Sequence, residues 1–385
     1  MRRIYLDNAT TTRPDPRVRS AMAPYLGRAF GSPSAPHARG RAAREAIETA
    51  RASVARLVDA PPEEILFTSS ATEANNLALK GLALASPPGR LLAAATEHIS
   101  VLHPLLRLAR GGHELVLLPV DPFGRIDLDR LRKELAQGAV LLTMAHASAE
   151  IGTLQPLAEA AVLARAAGVP FHCDAAASAG LRIPGFTLGD PDMLTLTPHL
   201  FHGPQGVAAL RLRAGTRLLP LVEGGGQEGG LRAGTEPLAA IVGFGVAADL
   251  AMSEGARRAA TAAERARELR ERLETTLPGL RLTGHPAERL PGHLSLCVAE
   301  VDAEAVLRAL DDAGIEATSG SACATIVGKP SHVLEAVGVG ARLARGALTF
   351  MFGPGNRDGD AARTALVLGQ AVQRLRALSP LVPLD

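Results

Sequence analysis

Residues 64–96, EILFTSSATEANNLALKGLALASPPGRLLAAAT, decide the fold. EILFTSS predicts a strand, ATEANNLALKGLALA a helix and RLLAAAT a second strand. The same alternation continues downstream through helix SVLHPLLRLAR, strands ELVLLPV and VLLTMAHA, helix PLAEAAVLARAAG and strand VPFHCDAA. A helix precedes it, with apolar residues at 3.6-residue spacing from Ala43 to Leu57. Such alternation predicts an α/β fold, with a mostly parallel sheet covered by helices on both faces.

The last third of the chain has a different pattern. An Arg-, Glu- and Ala-rich segment from Ser253 to Leu277 predicts one long helix, stopped by Pro278-Gly279. Strand HLSLCVAEV, helix AEAVLRALDDAG, strand IEAT and a terminal helix ending near Leu378 then predict a smaller α/β domain. The predicted organisation has four parts. Residues 1–15 form an N-terminal arm that packs on the small domain, and residues 16–252 form the large domain. Residues 253–280 form a connecting helix, and residues 281–385 form the small domain.

Composition excludes several function classes. The 385 residues carry a net charge of +2 and 3% aromatic residues, which does not suit a nucleic-acid groove. The N-terminus lacks the apolar core of a signal peptide and no run of 18 apolar residues occurs, so we expect a cytoplasmic protein without a membrane span. The three cysteines show no C-x-x-C spacing, which fits a reducing compartment. Cys173 and Cys297 lie in strand-like segments and are expected to be buried thiols.

Three short motifs follow strand ends. Ser69, Ser70 and Thr72 stand at a helix start, where free N–H groups and hydroxyls can hold a phosphate, although such residues are also ordinary helix caps. Asp174 ends a strand and is a candidate partner for a cofactor's pyridinium nitrogen. His98, in ATEHISVL, would by itself be read as a turn residue.

Together these motifs are more specific. The chain resembles the cysteine desulfurases, class-V aminotransferase-fold proteins that take sulfur from cysteine with pyridoxal phosphate. The resemblance spans nearly the whole chain and is carried by YLDNATTTRPDPRV, FGSPSAPHARG, EILFTSSATEANNLALKG, EIGTLQPL, GGGQEGGLRAGTEP and ATSGSAC. It implies the fold type I of pyridoxal-phosphate-dependent transferases such as aspartate aminotransferase.

The resemblance also implies roles for single residues. His98 would stack on the pyridine ring and Asp174 would pair with the ring nitrogen. The residues implied around the cofactor's phosphate are Ala71, Thr72, Thr197 and His199. Thr235 resembles the residue that reaches the phosphate in the neighbouring subunit, so a homodimer is implied. Cys323 resembles the loop cysteine that accepts sulfur as a persulfide.

The catalytic lysine of the family is missing. The family's Ser-x-His-Lys segment corresponds here to Thr197-Pro198-His199-Leu200. A leucine side chain can neither form an imine nor accept a proton. The chain has three lysines in all, Lys80, Lys133 and Lys329. Lys329 lies six residues after Cys323 and is a weak candidate to replace the missing one, since loop lysines are usually solvated.

Three further family positions are degenerate. Ala177 replaces the glutamine that contacts the cofactor's phenolic oxygen, and Ser148 replaces the first asparagine of Asn-Asn-Glu. Thr349 aligns with the arginine that clamps the substrate carboxylate, and a hydroxyl is a poor substitute for a guanidinium. Arg342 and Arg345 lie close by, which leaves the alignment open at this point.

These features lead to one main hypothesis and three alternatives. The main hypothesis is a dimeric protein of sulfur mobilisation and iron–sulfur cluster assembly that has lost lysine-dependent desulfuration. It acts through Cys323, as a persulfide carrier or cluster ligand, on a scaffold or sulfur-acceptor protein. One alternative is an enzyme that holds pyridoxal or pyridoxamine phosphate non-covalently and works on another amine. Another is a regulatory subunit that lends Thr235 to an active paralogue. The third is a metal site at His199 and His202, whose i, i+3 spacing is a weak signal.

Overall fold

The structure is a computed structural model, and it describes residues 2–181, 183, 187–320 and 331–378. Its largest element is a seven-stranded sheet with the strand order β2-β8-β7-β6-β5-β3-β4. The strands are β2 (Ile65–Thr68), β3 (Arg90–Ala94), β4 (Glu114–Leu118), β5 (Leu141–Ala145), β6 (Phe171–Asp174), β7 (Met193–Leu196) and β8 (Ala208–Leu212). β8 runs antiparallel to both of its neighbours, and the other pairs are parallel.

Helices cover both faces of this sheet. They are α1 (Pro16–Met22), α2 (Ala38–Leu57), α3 (Ala71–Leu84), α4 (Ile99–Arg110), α5 (Leu128–Leu135) and α6 (Leu157–Ala166). Successive strand residues belong to different cores: Leu92 and Ala94 lie in one hydrophobic cluster, whereas Leu91 and Ala93 lie in another. This division follows from the two-residue repeat of a strand and explains why the strands are apolar throughout.

The long helix α7 (Leu238–Thr276) begins 15 residues before the predicted start at Ser253. Its early part contains glycines, which weaken a helix prediction. A Cβ added at Gly245 would lie 2.7 Å from the Cα of Ala50, so the glycine lets α2 pack closely. α7 is long and apolar enough to cross a membrane by length and composition, but half of its apolar window is buried within the protein. Core helices pass the same test, so the helix is weak evidence for a membrane span.

A second core surrounds smaller sheets. β9 (Leu280–Leu282), β10 (His293–Val298) and β12 (Ala347–Met351) form an antiparallel sheet, and β1 (Ile4–Tyr5) pairs in parallel with β11 (Ile315–Glu316). The helices of this part are α8 (Ala303–Asp312), α9 (His332–Ala336), α10 (Ala341–Ala344) and α11 (Asp360–Leu378). Residues of β1, β10, β12, α8 and α11 share one hydrophobic cluster with the second half of α7. The division into the four predicted ranges stays a prediction.

The thiols of the two described cysteines are buried, as the sequence predicts. Cys173 lies in β6 and Cys297 in β10, each with no exposed surface, and neither forms a disulfide. Burial raises the pKa of Cys297 to about 12, so this thiol stays protonated. Neither is suited to react as a thiolate.

Candidate functional site

A cavity of about 310 Å³ lies where the large sheet meets the second core. Its walls come from the start of α3, the segment before α4, the chain after β5 and β6, and the turn after β7. The second core contributes Thr318, Gly320 and residues 331–333. The position is the one expected for an α/β protein, outside the carboxyl ends of parallel strands.

One end of the cavity suits an anion. Ala71 and Thr72 are the first residues of α3, and both line the cavity. Helix geometry leaves N–H groups of the first turn without an intrahelical acceptor. The hydroxyl of Thr197 lines the same cavity, is buried and has no hydrogen-bond partner within the described part of the chain. A buried hydroxyl without a partner is unusual and marks a place where a ligand oxygen can bind.

The serines beside this helix start act as caps. The hydroxyl of Ser70 accepts a hydrogen bond from the N–H of Glu73 at 3.1 Å. Ser69 donates from its N–H and its hydroxyl to the Glu73 carboxylate, and it does not line the cavity. The carboxylate of Glu73 is also paired with Arg232 at 3.0 Å. Ser69 therefore fits the alternative of an ordinary helix cap, because its N–H and its hydroxyl are both engaged by Glu73.

A hydrogen-bonded chain joins Asp174 to His98 deep in the cavity. The amide nitrogen of Asn75 donates to Asp174 Oδ2 at 2.7 Å and to Ser100 Oγ at 2.9 Å. The Ser100 hydroxyl lies 2.8 Å from His98 Nδ1, which also accepts the Ser100 N–H at 3.1 Å. The N–H of Ala176 donates to Asp174 Oδ1 at 3.0 Å. The network holds the carboxylate and the imidazole in fixed positions.

His98 is held as a neutral imidazole. It caps the start of α4, and because Nδ1 accepts hydrogen bonds, the ring proton belongs on Nε2. Desolvation lowers the pKa of His98 below its ordinary value. A neutral ring facing the cavity can stack on a planar ligand, as the resemblance implies.

The turn after β7 places His199 and Leu200 in the cavity wall. Leu200 is partly buried there, and Ala177 also lines the cavity. His199 Nδ1 lies 3.3 Å from the Thr11 hydroxyl, and burial lowers the pKa of His199. None of the described residues that line the cavity is a lysine; Lys80 lies in α3 and Lys133 in α5, both outside the wall.

Thr349, which aligns with the arginine that binds the substrate carboxylate in the family, carries no charge. Thr349 is buried in β12 behind the wall, and its hydroxyl donates to the backbone oxygen of Glu150 at 3.4 Å. Ser148 lines the cavity and accepts the N–H of Ile151 at 3.3 Å. Neither Arg342 nor Arg345 lines it.

Two carboxyl groups of the wall were not recognised from sequence as site residues. Glu97 is 1% exposed, and burial raises its pKa to about 8. Glu150 is partly buried, and desolvation raises its pKa to about 7. Glu97 immediately precedes His98, and Glu150 ends the Ser148-Ala149-Glu150 triplet. The only signal in the sequence was that each adjoins a residue already chosen, because a sequence does not show which carboxyl groups become buried.

Three of the predicted site residues lie apart from this cavity or outside the described chain. Thr235 is exposed and does not line the cavity of its own chain. Cys323 and Lys329 lie outside the described residues.

The predicted histidine pair is not brought together as a metal site. His199 lines the cavity, whereas the ring of His202 lies 3.1 Å from the backbone oxygen of Arg13. Across the described ranges, no group of three or more His, Cys, Asp or Glu side chains is arranged to hold a metal ion.

Comparison with known proteins gives one consistent family. Residues 4–348 match the model of the family described as aminotransferase class-V. The chain is 40% identical to cysteine desulfurase IscS 1 of Archaeoglobus fulgidus over 98% of this chain and 99% of the relative. It is equally identical to cysteine desulfurase IscS of Dictyoglomus turgidum, over 98% and 97% of the two chains. A solved NifS-like protein superposes with a TM-score of 0.90 at 30% identity, over 97% of this chain and 100% of that one. The predicted α/β class with fold type I is confirmed.

Proposed function

Since this chain belongs to the cysteine desulfurase family of the class-V aminotransferases, we propose that it serves sulfur mobilisation through Cys323 without a lysine-bound cofactor. One observation carries the proposal. Gly320 and Ser331 both line the cavity, and Cys323 follows Gly320 by three positions in the sequence. Three residues of chain span at most about 11 Å, so the sequence position of Cys323 next to this wall supports a role at the cavity.

The family implies pyridoxal phosphate, and the residues present fit it in part. Ala71, Thr72 and the hydroxyl of Thr197, which has no partner among the described residues, would hold its phosphate. Asp174 would accept a hydrogen bond from its protonated ring nitrogen, and His98 would lie against the ring. When bound, the group supplies an electron sink for reactions at the carbon next to an amine.

The covalent part of the family's site does not fit. Leu200 stands at the lysine position, and no lysine lines the described wall. A reaction at an α-carbon needs a positioned base, and neither Leu200 nor Ala177 has a group that can move a proton. Loss of the lysine, the glutamine and the arginine together supports the proposal that ordinary cysteine desulfuration has been lost.

Cys323 would work as a persulfide carrier or as a ligand to an iron–sulfur cluster. Either role requires a thiolate that meets a partner's thiols, which suits a scaffold or sulfur-acceptor protein. A carrier takes its sulfur from a persulfide donor: the Cys323 thiolate bonds to the donor's outer sulfur, the donor's S–S bond breaks, and the donor leaves as a thiolate. A ligand gives iron–sulfur absorbance only with the scaffold present.

The test compares Cys323→Ser with Cys297→Ser, a matched change at a buried cysteine. Full-length protein is exposed to a persulfide donor and then to a scaffold protein with ferrous iron and a thiol reductant, and persulfide mass and cluster absorbance are measured. We expect Cys323→Ser to abolish the signal and Cys297→Ser to retain it. If Cys323→Ser supports transfer and cluster assembly as well as the parent, the cysteine is an ancestral relic and the proposal is wrong.

A second candidate is an enzyme with non-covalently held pyridoxal or pyridoxamine phosphate. The cavity-facing Thr197 and the hydrogen-bonded Asp174 favour it, because both suit the cofactor and neither needs the lysine. Visible spectra with and without added pyridoxal phosphate, followed by dialysis, test this candidate. A cofactor that binds and dialyses away supports it, and a chain that never binds the cofactor rules it out.

The assembly state belongs to the same proposal. We propose a cytoplasmic homodimer in which Thr235 of one subunit reaches the site of the other. The exposed position of Thr235, away from its own cavity, supports this arrangement. Sedimentation should find a dimer, and a monomer would remove Thr235 from any site. A dimer formed only with an active paralogue would instead support the regulatory-subunit alternative.

A further inference from the structure

The hydrogen-bonded chain between Asp174 and His98 has a fixed direction. A carboxylate only accepts hydrogen bonds, so the side-chain amide of Asn75 must present its NH2 group to Asp174. That group donates at 2.7 Å to Asp174 Oδ2 and at 2.9 Å to Ser100 Oγ. Because Ser100 Oγ accepts from Asn75, its own hydrogen is free to point at His98 Nδ1, which lies 2.8 Å away.

Ser100 directs two donors at the same nitrogen of His98. Besides the hydroxyl, its backbone N–H donates to His98 Nδ1 at 3.1 Å, and a backbone N–H can only donate. Nδ1 therefore holds the lone pair of the neutral ring, and Nε2 holds the proton. A neutral imidazole has only this one basic nitrogen, so His98 can accept a proton only if Ser100 gives up both contacts.

Burial makes the contacts of Asn75 and Ser100 hard to replace. Asn75 has no exposed surface, and Ser100 is 8% exposed. A hydrogen bond is stronger in such surroundings than in water, and a buried group that loses its partner is costly. The two side chains therefore hold the ring of His98 in one protonation state as well as in one position.

The titratable groups around His98 leave the ring neutral. Desolvation is the largest influence, and it lowers the pKa of His98 below its ordinary value. The Asp174 carboxylate acts in the opposite direction, whereas His332 and His103 also lower this pKa. The other titratable groups in the described wall of the cavity belong to Glu97, Glu150 and His199.

We infer that Ser100 and Asn75 are positioning residues that keep His98 a hydrogen-bond donor and prevent it from replacing the missing lysine as a base. A general base must offer a free lone pair to the proton that it removes. His98 lines the cavity, but its only lone pair is turned toward Ser100. The inference rests on the proposed function for the ring that lies against His98, and it deepens the proposed loss of proton transfer.

The inference also limits the second candidate function. An enzyme with a non-covalently held cofactor would have to take its base from a residue other than His98. The imidazole would then contribute stacking and a donated hydrogen bond, neither of which removes a proton from a ligand.

Nitrogen NMR on the full-length protein with isotope-labelled histidine tests the inference. Correlations between ring nitrogens and ring hydrogens distinguish the two neutral tautomers from the charged ring. His98→Gln identifies the signals of His98 among the eleven histidines of the chain. At pH 7 we expect a proton on Nε2 alone. A proton on Nδ1, or a charged ring, would overturn the inference.

Ser100→Ala removes the hydroxyl donor and keeps the backbone donor. A hydrogen bond to Nδ1 stabilises the neutral ring, so its loss should raise the pKa of His98 by about 0.5–1, roughly a three- to tenfold gain in proton affinity. Ser100→Thr keeps a hydroxyl and should retain the parental pKa. Ser178→Ala is the matched control, because the Ser178 hydroxyl lies 2.8 Å from Nδ1 of another buried histidine, His146.

Asn75→Ala tests the next link of the chain. Without the donor from Asn75 the Ser100 hydroxyl can turn away from Nδ1, so the pKa of His98 should rise here too. A melting curve shows which variants are folded, and the tautomer in the parent decides alone if none is. An unchanged pKa of His98 in folded Ser100→Ala, or an equal rise in Ser100→Thr or Ser178→Ala, would overturn the inference.

Failure of this inference can be told apart from failure of the proposed function. A His98 that is charged or carries its proton on Nδ1, in a protein whose sulfur transfer still depends on Cys323, sinks only this inference. A lysine that carries a pyridoxyl group after borohydride reduction sinks the proposed function and leaves the measured tautomer of His98 standing.

Discussion

Replacing Glu97 by Gln should remove a large pH dependence of stability. Burial raises the pKa of Glu97 from 4.5 to about 8. At about 1.4 kcal/mol per pKa unit, this difference corresponds to roughly 5 kcal/mol. Because the folded protein binds this proton more tightly than the unfolded chain, the stabilisation is complete below about pH 4.5 and is lost as the pH rises to about 8.

The glutamine variant keeps the hydrogen bond from Ala145 but cannot titrate. At pH 5 we expect parent and Glu97→Gln to have similar free energies of unfolding. At pH 8.5 the variant should be more stable than the parent by several kcal/mol, on the order of 3–5. Urea unfolding at a series of pH values measures both, with the exposed Glu304→Gln as control. Parallel curves for parent and Glu97→Gln would refute the assignment of Glu97 as a buried acid whose pKa is raised by desolvation.

Three further predictions concern stability and rescue. Asn75→Ala removes donors to Ser100 and Asp174, and it should cost about 2–4 kcal/mol in urea unfolding; a loss below about 1 kcal/mol would show that the network contributes little. Leu200→Lys alone should not make the protein convert cysteine to alanine and sulfide, because we expect Ala177 and Thr349 to leave cofactor and substrate poorly held; alanine formation measured by chromatography would contradict this. Cys173→Ser should lower the free energy of unfolding by about 1–3 kcal/mol, because it buries a hydroxyl, while sulfur transfer by the folded protein stays unchanged; impaired transfer would give Cys173 a direct role.

The alternating strands and helices could be predicted because each is a short apolar segment with a clear start and end. β2, α3 and β3 match the segments of residues 64–96, and the terminal helix ends at Leu378 as expected. The first half of α7 could not be predicted, because Gly243 and Gly245 disfavour a helix locally. Their use becomes apparent only from the packing, because a Cβ at Gly245 would meet Ala50 of α2 and a Cβ at Gly243 would meet Met22 of α1.

Residues of the cavity wall could be predicted where a sequence motif places them just after the end of a strand. His98, Asp174, Thr72 and Leu200 all line the cavity. The network through Asn75 was not predictable, since Asn75 lies one turn inside α3 and meets Asp174 across 99 residues of sequence. It could also not be predicted that Glu97 and Glu150 line the cavity, because a sequence does not show which side chains face it.

Peptide mass mapping after borohydride reduction of the protein as purified tests the central claim most directly. Reduction fixes any imine between pyridoxal phosphate and a lysine as a stable pyridoxyl group. The chain offers only Lys80, Lys133 and Lys329. The absence of a lysine at the family position predicts that none of the three carries a pyridoxyl group. Stoichiometric modification of a lysine, Lys329 above all, would contradict the claim and favour an active enzyme with a relocated anchor.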